Sequence, residues 1–85
     1  MYTGEVMKND NVAKYKDEFV AIGLRIGYIR RQKGMTQEQL AEKAGLSLGF
    51  LGQIEAPNLA VGISLATLFS IAEALQIPPS KLLED

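Results

Sequence analysis

The stretch from residue 36 to 55, TQEQLAEKAGLSLGFLGQIE, constrains this chain more than any other, because it starts a helix, stops it and starts another in quick succession. Thr36 stands where a helix cap is needed. Its hydroxyl accepts an orphan backbone amide while Gln39, three residues on, reaches back to close a capping box. Leu40, Ala41 and Ala44 supply an apolar stripe at helical spacing. Gly45 follows where the chain must turn left-handed, a conformation that a residue with a Cβ adopts only at a cost. Ser47 caps the second piece, on which Leu51 and Ile54 share a face and Gln53 lies between them and solvent. The spacing predicts helices over 37–44 and 48–55 joined by a tight turn.

The flanks carry the pattern further. Upstream stand Ile22, Ile26, Ile29 and Arg30, followed by Gln32-Lys33-Gly34-Met35; downstream stand Leu65-Ala66-Thr67-Leu68, Ile71-Ala72-Glu73-Ala74-Leu75 and Ile77-Pro78-Pro79-Ser80-Lys81-Leu82-Leu83. With the central motif, these residues resemble the Cro and phage-repressor family, the xenobiotic-response-element type of helix-turn-helix transcription regulator. The resemblance covers about residues 20 to 85, without a gap from Gln37 through Ala41 and Gly45 to Ile54 and Glu55. It implies an all-α fold, a five-helix lambda-repressor-like DNA-binding bundle with an N-terminal arm. The helices are expected over 17–33, 37–44, 48–55, 64–75 and 79–84. Residues 17–85 would form the DNA-binding domain. Residues 1–16, rich in turn formers and without a sustained period, read as an arm in which Asp10 or Asn11 caps an early turn running into Val12 to Phe19.

Composition excludes several alternatives. Eighty-five residues with 47% apolar side chains suit one small helical domain and no second one. The chain has no cysteine and no histidine, which removes disulfides, zinc sites and the usual general base together, and suits a reducing cytoplasm. No nucleophile-base pair, metal-ligand cluster or glycine-rich phosphate loop is present, so neither an enzyme nor a cofactor is expected. The longest uncharged run, Ala56 to Ala72, is shorter than the roughly 20 residues a membrane span needs, and Pro57, Gly62, Ser64 and Thr67 interrupt it. It reads as a loop plus a buried helix. No basic start with an apolar signal core is present, and no membrane association is expected.

The resemblance implies a mechanism: the helix over 48–55 enters the major groove of double-stranded DNA while the helix over 37–44 lies across the backbone. Carried over residue by residue, the DNA-binding set is Thr36, Gln37, Ser47, Leu48, Gly49 and Gln53. Gln53 has an amide that donates and accepts at once, matching the N6 and N7 edge of adenine, whereas Leu48 offers apolar contact to a thymine methyl. Gly49 offers no side chain, where family members more often carry a polar or basic one. Gln37 and the free amides at the starts of both helices suit phosphate; the alternative for Gln37 is a solvated first-turn residue. Phe50 reads as a packing residue. Arg30 and Glu55 match the family's partly buried ion pair, whose role is to fix the angle between two helices.

Charge is unevenly distributed. Residues 20–43 carry Arg25, Arg30, Arg31, Lys33 and Lys43 against Glu38 and Glu42, whereas residues 44–85 carry Lys81 against Glu55, Glu73, Glu84 and Asp85. Arg25, Arg31, Lys33 and Lys43 are the candidate phosphate contacts, or else a solvated face. Few neutralised phosphates imply modest affinity with a shallow salt dependence. The segment Ala56 to Ile63 is longer and more apolar than the family's usual loop. Leu59, Val61 and Ile63 in it either close the bundle's own core or form a two-fold homodimer patch. Two readings stay open: a DNA-binding regulator, bacterial or phage-encoded as its family implies, acting as a dimeric repressor; and an antitoxin-like or docking module that binds a partner protein on the same scaffold.

Overall fold

The computed structural model describes residues 9–84. Among these the elements are all helical: α1 (Asn9–Lys14), α2 (Lys16–Gln32), α3 (Gln37–Ala44), α4 (Leu48–Glu55), α5 (Leu65–Leu75) and a closing 3-10 turn (Pro79–Leu82). Residues 1–8 of the expected arm, and Asp85, lie outside the described residues.

The helices α2, α3 and α5 each stop for a local reason. At the ends of α2 and α3 the chain turns left-handed at Gly34 (φ 70°) and Gly45 (φ 73°). The next residue then folds back, Met35 N–H donating to the Arg30 carbonyl at 3.1 Å and Leu46 N–H to the Ala41 carbonyl at 2.8 Å. The end of α5 repeats this closure with a non-glycine residue: Gln76 adopts φ 59° and Ile77 N–H donates to the Ala72 carbonyl at 3.0 Å. Starts are equally local. Thr36, Ser47 and Ser64 accept from Gln39, Phe50 and Thr67 backbone amides, each at 3.1 Å, and Gln39 completes the capping box by accepting from Thr36 N–H at 2.8 Å.

The fifth expected helix, 79–84, is instead a short 3-10 turn. Its bonds join residues three apart, Lys81 N–H to the Pro78 carbonyl and Leu83 N–H to the Ser80 carbonyl, both at 3.0 Å. Only four residues wind here before the turn ends at Leu83, and so short a piece suits i+3 bonds.

Ile26, Leu40, Leu51, Ile71, Leu75 and Leu82 are fully buried and come from every one of these elements except α1. At roughly 1.5–3 kcal/mol per fully buried aliphatic side chain, they supply the main driving force for folding. In this core α3 packs on α4 and α5, and α2 packs on α4, α5 and the closing turn. Arg25 ties α2 to that turn by donating from Nη1 to the Leu82 carbonyl at 3.2 Å.

The α1 helix occupies the second half of the expected arm. It begins at Asn9, so Asp10 and Asn11 fall within its first turn rather than before it. A turn at Tyr15 separates it from α2. Val12 lies half-buried over the 56–64 loop, its Cγ2 only 2.7 Å from where a Cβ on Gly62 would stand. The loop thus rests partly on this chain's own N-terminal helix.

Candidate nucleic-acid interface

The placement of α4 is set by α2. Gly23 and Gly27 sit one helical turn apart on α2, and Arg30 continues the same face. A Cβ at Gly23 would collide with the Ile54 carbonyl, and one at Gly27 would stand 3.0 Å from Glu55 Oε1. The bare backbone at these two positions therefore lets the last turn of α4 lie directly on α2.

There the Arg30 guanidinium meets Glu55 in a bidentate pair, Nε to Oε2 at 2.9 Å and Nη2 to Oε1 at 2.9 Å. Its third nitrogen, Nη1, donates to the Met35 carbonyl at 2.8 Å. Gln37 joins the cluster, its Nε2 donating to Glu55 Oε1 at 3.0 Å. The two charged side chains are 11% and 5% exposed, so the pair is shielded from water. No buried side-chain nitrogen or oxygen among the described residues lacks a partner. Arg30 from α2 and Gln37 from α3 thereby converge on one α4 carboxylate, and the carbonyl of the intervening turn holds the same guanidinium.

The geometry assigns Gln37 a structural bond that the sequence reading did not foresee. A glutamine amide carries two N–H donors, and Glu55 takes one of them. Thr36 and Ser47, also in the expected DNA-binding set, use their hydroxyl oxygens as acceptors for helix caps. Each hydroxyl still has a hydrogen to donate.

With Leu51, Ile54 and Glu55 buried, the opposite face of α4 looks outward. At about 100° per residue, Gly49 and Gln53 lie near its centre, with Leu48 and Gly52 along one side. Gly49 and Gln53 are exposed, and Leu48 is 46% exposed. Phe50 is half-buried and packs against the core, in the packing role expected of it. A glycine within a helix costs about 0.5–1 kcal/mol relative to alanine, and α4 carries two in eight residues.

The candidate phosphate contacts divide into two kinds. Arg31, Lys33 and Lys43 are exposed, whereas Arg25 is half-buried and bonded to the closing turn. The candidate dimer residues divide as well: Val61 and Ile63 pack against the core, and Leu59 remains 43% exposed. A larger apolar surface lies on α5, where Leu65 is 67% and Phe69 52% exposed. Sequence reasoning passed over these two. The available signal was that the apolar side of α5 takes in Leu65 and Phe69 as well as Leu68, Ile71, Ala72 and Leu75, wider than the one face a helix in so small a bundle buries.

Among the described residues no group of acidic, cysteine or histidine side chains could hold a metal ion, and no helix is long and apolar enough to cross a membrane.

Two short capped helices joined at a left-handed glycine, braced from behind by a third, define a helix-turn-helix bundle. The chain belongs to the helix-turn-helix family, whose model matches residues 26–82. It is 43% identical over 63 residues to the immunity repressor protein of Bacillus phage phi105, covering 74% of this chain and 42% of that protein. It is 36% identical over 64 residues to the HTH-type transcriptional regulator SinR of Bacillus subtilis, covering 75% of this chain and 57% of SinR. The chain thus spans about half the length of these curated relatives. Its fold is similar to the crystal structure of the restriction-modification controller protein C.AhdI from Aeromonas hydrophila, with a TM-score of 0.72 and 33% identity, covering 78% of this chain and 97% of that one.

Proposed function

We propose that the chain is a sequence-specific transcriptional repressor that occupies a pseudo-palindromic DNA operator as a homodimer, in the cytoplasm of a bacterial cell. The observation that carries this reading is the outward face of α4, which leaves Leu48, Gly49 and Gln53 exposed on a helix whose other side is locked to the core. A major groove about 12 Å wide admits one such helix. Gln53 reads adenine through its amide, and Leu48 packs against a thymine methyl. The exposed amides at the starts of α3 and α4 hold phosphate, helped by the second N–H of Gln37, by the Thr36 and Ser47 hydroxyls, and by Arg31, Lys33 and Lys43. Arg25 is left out of this set because its guanidinium serves α2 and the closing turn.

Selection from random duplexes at two salt concentrations tests the reading. A palindrome with half-sites about one helical turn apart is the expected product. Gln53→Ala is expected to weaken binding to it by about 1–3 kcal/mol per half-site, with little change on unrelated DNA. No enriched sequence at either salt concentration would refute the proposal and favour the partner-protein reading.

The dimer surface in this reading is Leu65 and Phe69 on α5, with Leu59 in the 56–64 loop. Exposed aromatic and leucine side chains one turn apart suit a two-fold contact. Phe69→Glu is expected to leave the fold intact, to shift sedimentation to the monomer, and to lower operator affinity at least tenfold. A variant that stays dimeric would place the contact elsewhere.

A further inference from the structure

We propose that Gly49 and Gly52 are positioning residues of the DNA interface: their missing side chains let the α4 backbone seat closely in the groove, so that Leu48 and Gln53 reach the base edges. This inference rests on the DNA-binding reading above and adds how the helix fits.

Five of the seven glycines among the described residues have a reason inside the molecule. Gly34 and Gly45 adopt positive φ. Gly23, Gly27 and Gly62 face atoms that an added Cβ would crowd: the Ile54 carbonyl, the Glu55 carboxylate and the Val12 methyl. Gly49 and Gly52 have neither reason. Both have ordinary helical backbone angles, and a Cβ built at either would meet nothing within 4 Å. They weaken a helix of eight residues without any packing return inside the molecule. A surface that approaches α4 from outside would supply the missing return.

Two further observations indicate what that surface is. Leu48, next to both glycines on the outward side, keeps 46% of its surface exposed at the very start of α4, where a groove floor with thymine methyls would cover it. In addition, no lysine or arginine lies between Lys43 and Lys81, so α4 has no cation of its own with which to grip phosphate. Binding by this helix must come from close apposition rather than from neutralised charge. An α-helix with its side chains is about 10–12 Å across, nearly the full width of the major groove. Removing two side chains from the outer face is therefore the direct way to bring the remaining ones deeper.

Gly49→Ala, Gly52→Ala and the double variant test the assignment against the selected operator. Alanine is expected to raise Tm, by up to about 4–8 °C at the mid-helix Gly52 and by less at Gly49 in the first turn. Operator affinity is expected to fall tenfold or more in the same proteins, with the salt slope unchanged because no phosphate contact is removed. Variants that are more stable and bind the operator as tightly as the parent would overturn the assignment while leaving the DNA-binding reading in place. A lowered Tm would also overturn it, since the glycines would then serve the fold. If the parent chain selects no duplex at all, the DNA-binding reading fails and this inference falls with it.

Discussion

Replacing Glu55 by alanine is expected to cost about 3–5 kcal/mol of folding stability, a large share of the 5–15 kcal/mol typical of a small domain. The magnitude follows from what the carboxylate holds. Two guanidinium N–H groups of Arg30 and one amide N–H of Gln37 all donate to it. With Glu55 removed, a positive charge that is only 11% exposed keeps a single bond, to the Met35 carbonyl. Chemical denaturation of the parent and of Glu55→Ala measures the loss. The double variant Arg30→Met with Glu55→Leu separates the two components of the cost, because it removes both charges and fills the space with apolar atoms. That protein is expected to recover most of the stability, since the penalty arises from an orphaned charge more than from the absence of a bond. Its operator affinity is expected to remain below that of the parent, because the forked pair also sets the direction of α4. A loss under about 1 kcal/mol for Glu55→Ala would show that water reaches the pair and that its contribution is that of a surface ion pair.

Gly23→Ala is expected to destabilise the fold by about 2–3 kcal/mol, lowering Tm by on the order of 10–20 °C. The added methyl would enter the space of the Ile54 carbonyl, which is backbone and has no rotamer with which to yield. Either α4 moves away from α2, stretching the Arg30–Glu55 pair, or α2 bends. The same substitution at Gly52 is expected to have the opposite sign, since nothing stands near that position. Thermal unfolding of the two variants side by side provides the check. Equal effects at Gly23 and Gly52 would contradict the packing of α2 on α4 described above.

The local pieces of this fold were legible in the sequence because the groups that decide them are close together along the chain. Thr36 and Gln39 are three residues apart, Ser47 and Phe50 likewise, and Gly45 directly follows the helix it ends; the observed bounds of α3 and α4 are those expected. The closing segment differs from the expected helix in type, because only four residues wind there and they close i+3 bonds. Less legible were the features whose meaning depends on a distant partner. Gly23 and Gly27 look like defects in α2 until Ile54 and Glu55 are placed against them. Gln37 reads as a phosphate contact or else a solvated first-turn residue until Glu55, eighteen residues further on, accepts its amide hydrogen. The exposure of Leu65 and Phe69 could be inferred only from there being one core face for an α5 that is apolar on several sides. Val12 gave no sign that it would cover Gly62. For the candidate interface, the sequence supplied the residues, and the fold supplied the directions in which they point.

The most direct test of the central claim is a backbone-amide NMR titration of the chain with its selected operator duplex. The account predicts that the largest shifts fall on Ser47 to Gln53 and on Thr36 and Gln37, with Leu68, Ile71 and Leu75 in the core little changed. Shifts concentrated on the exposed face of α2 or on α5, with Ser47 to Gln53 unmoved at saturating duplex, would contradict it.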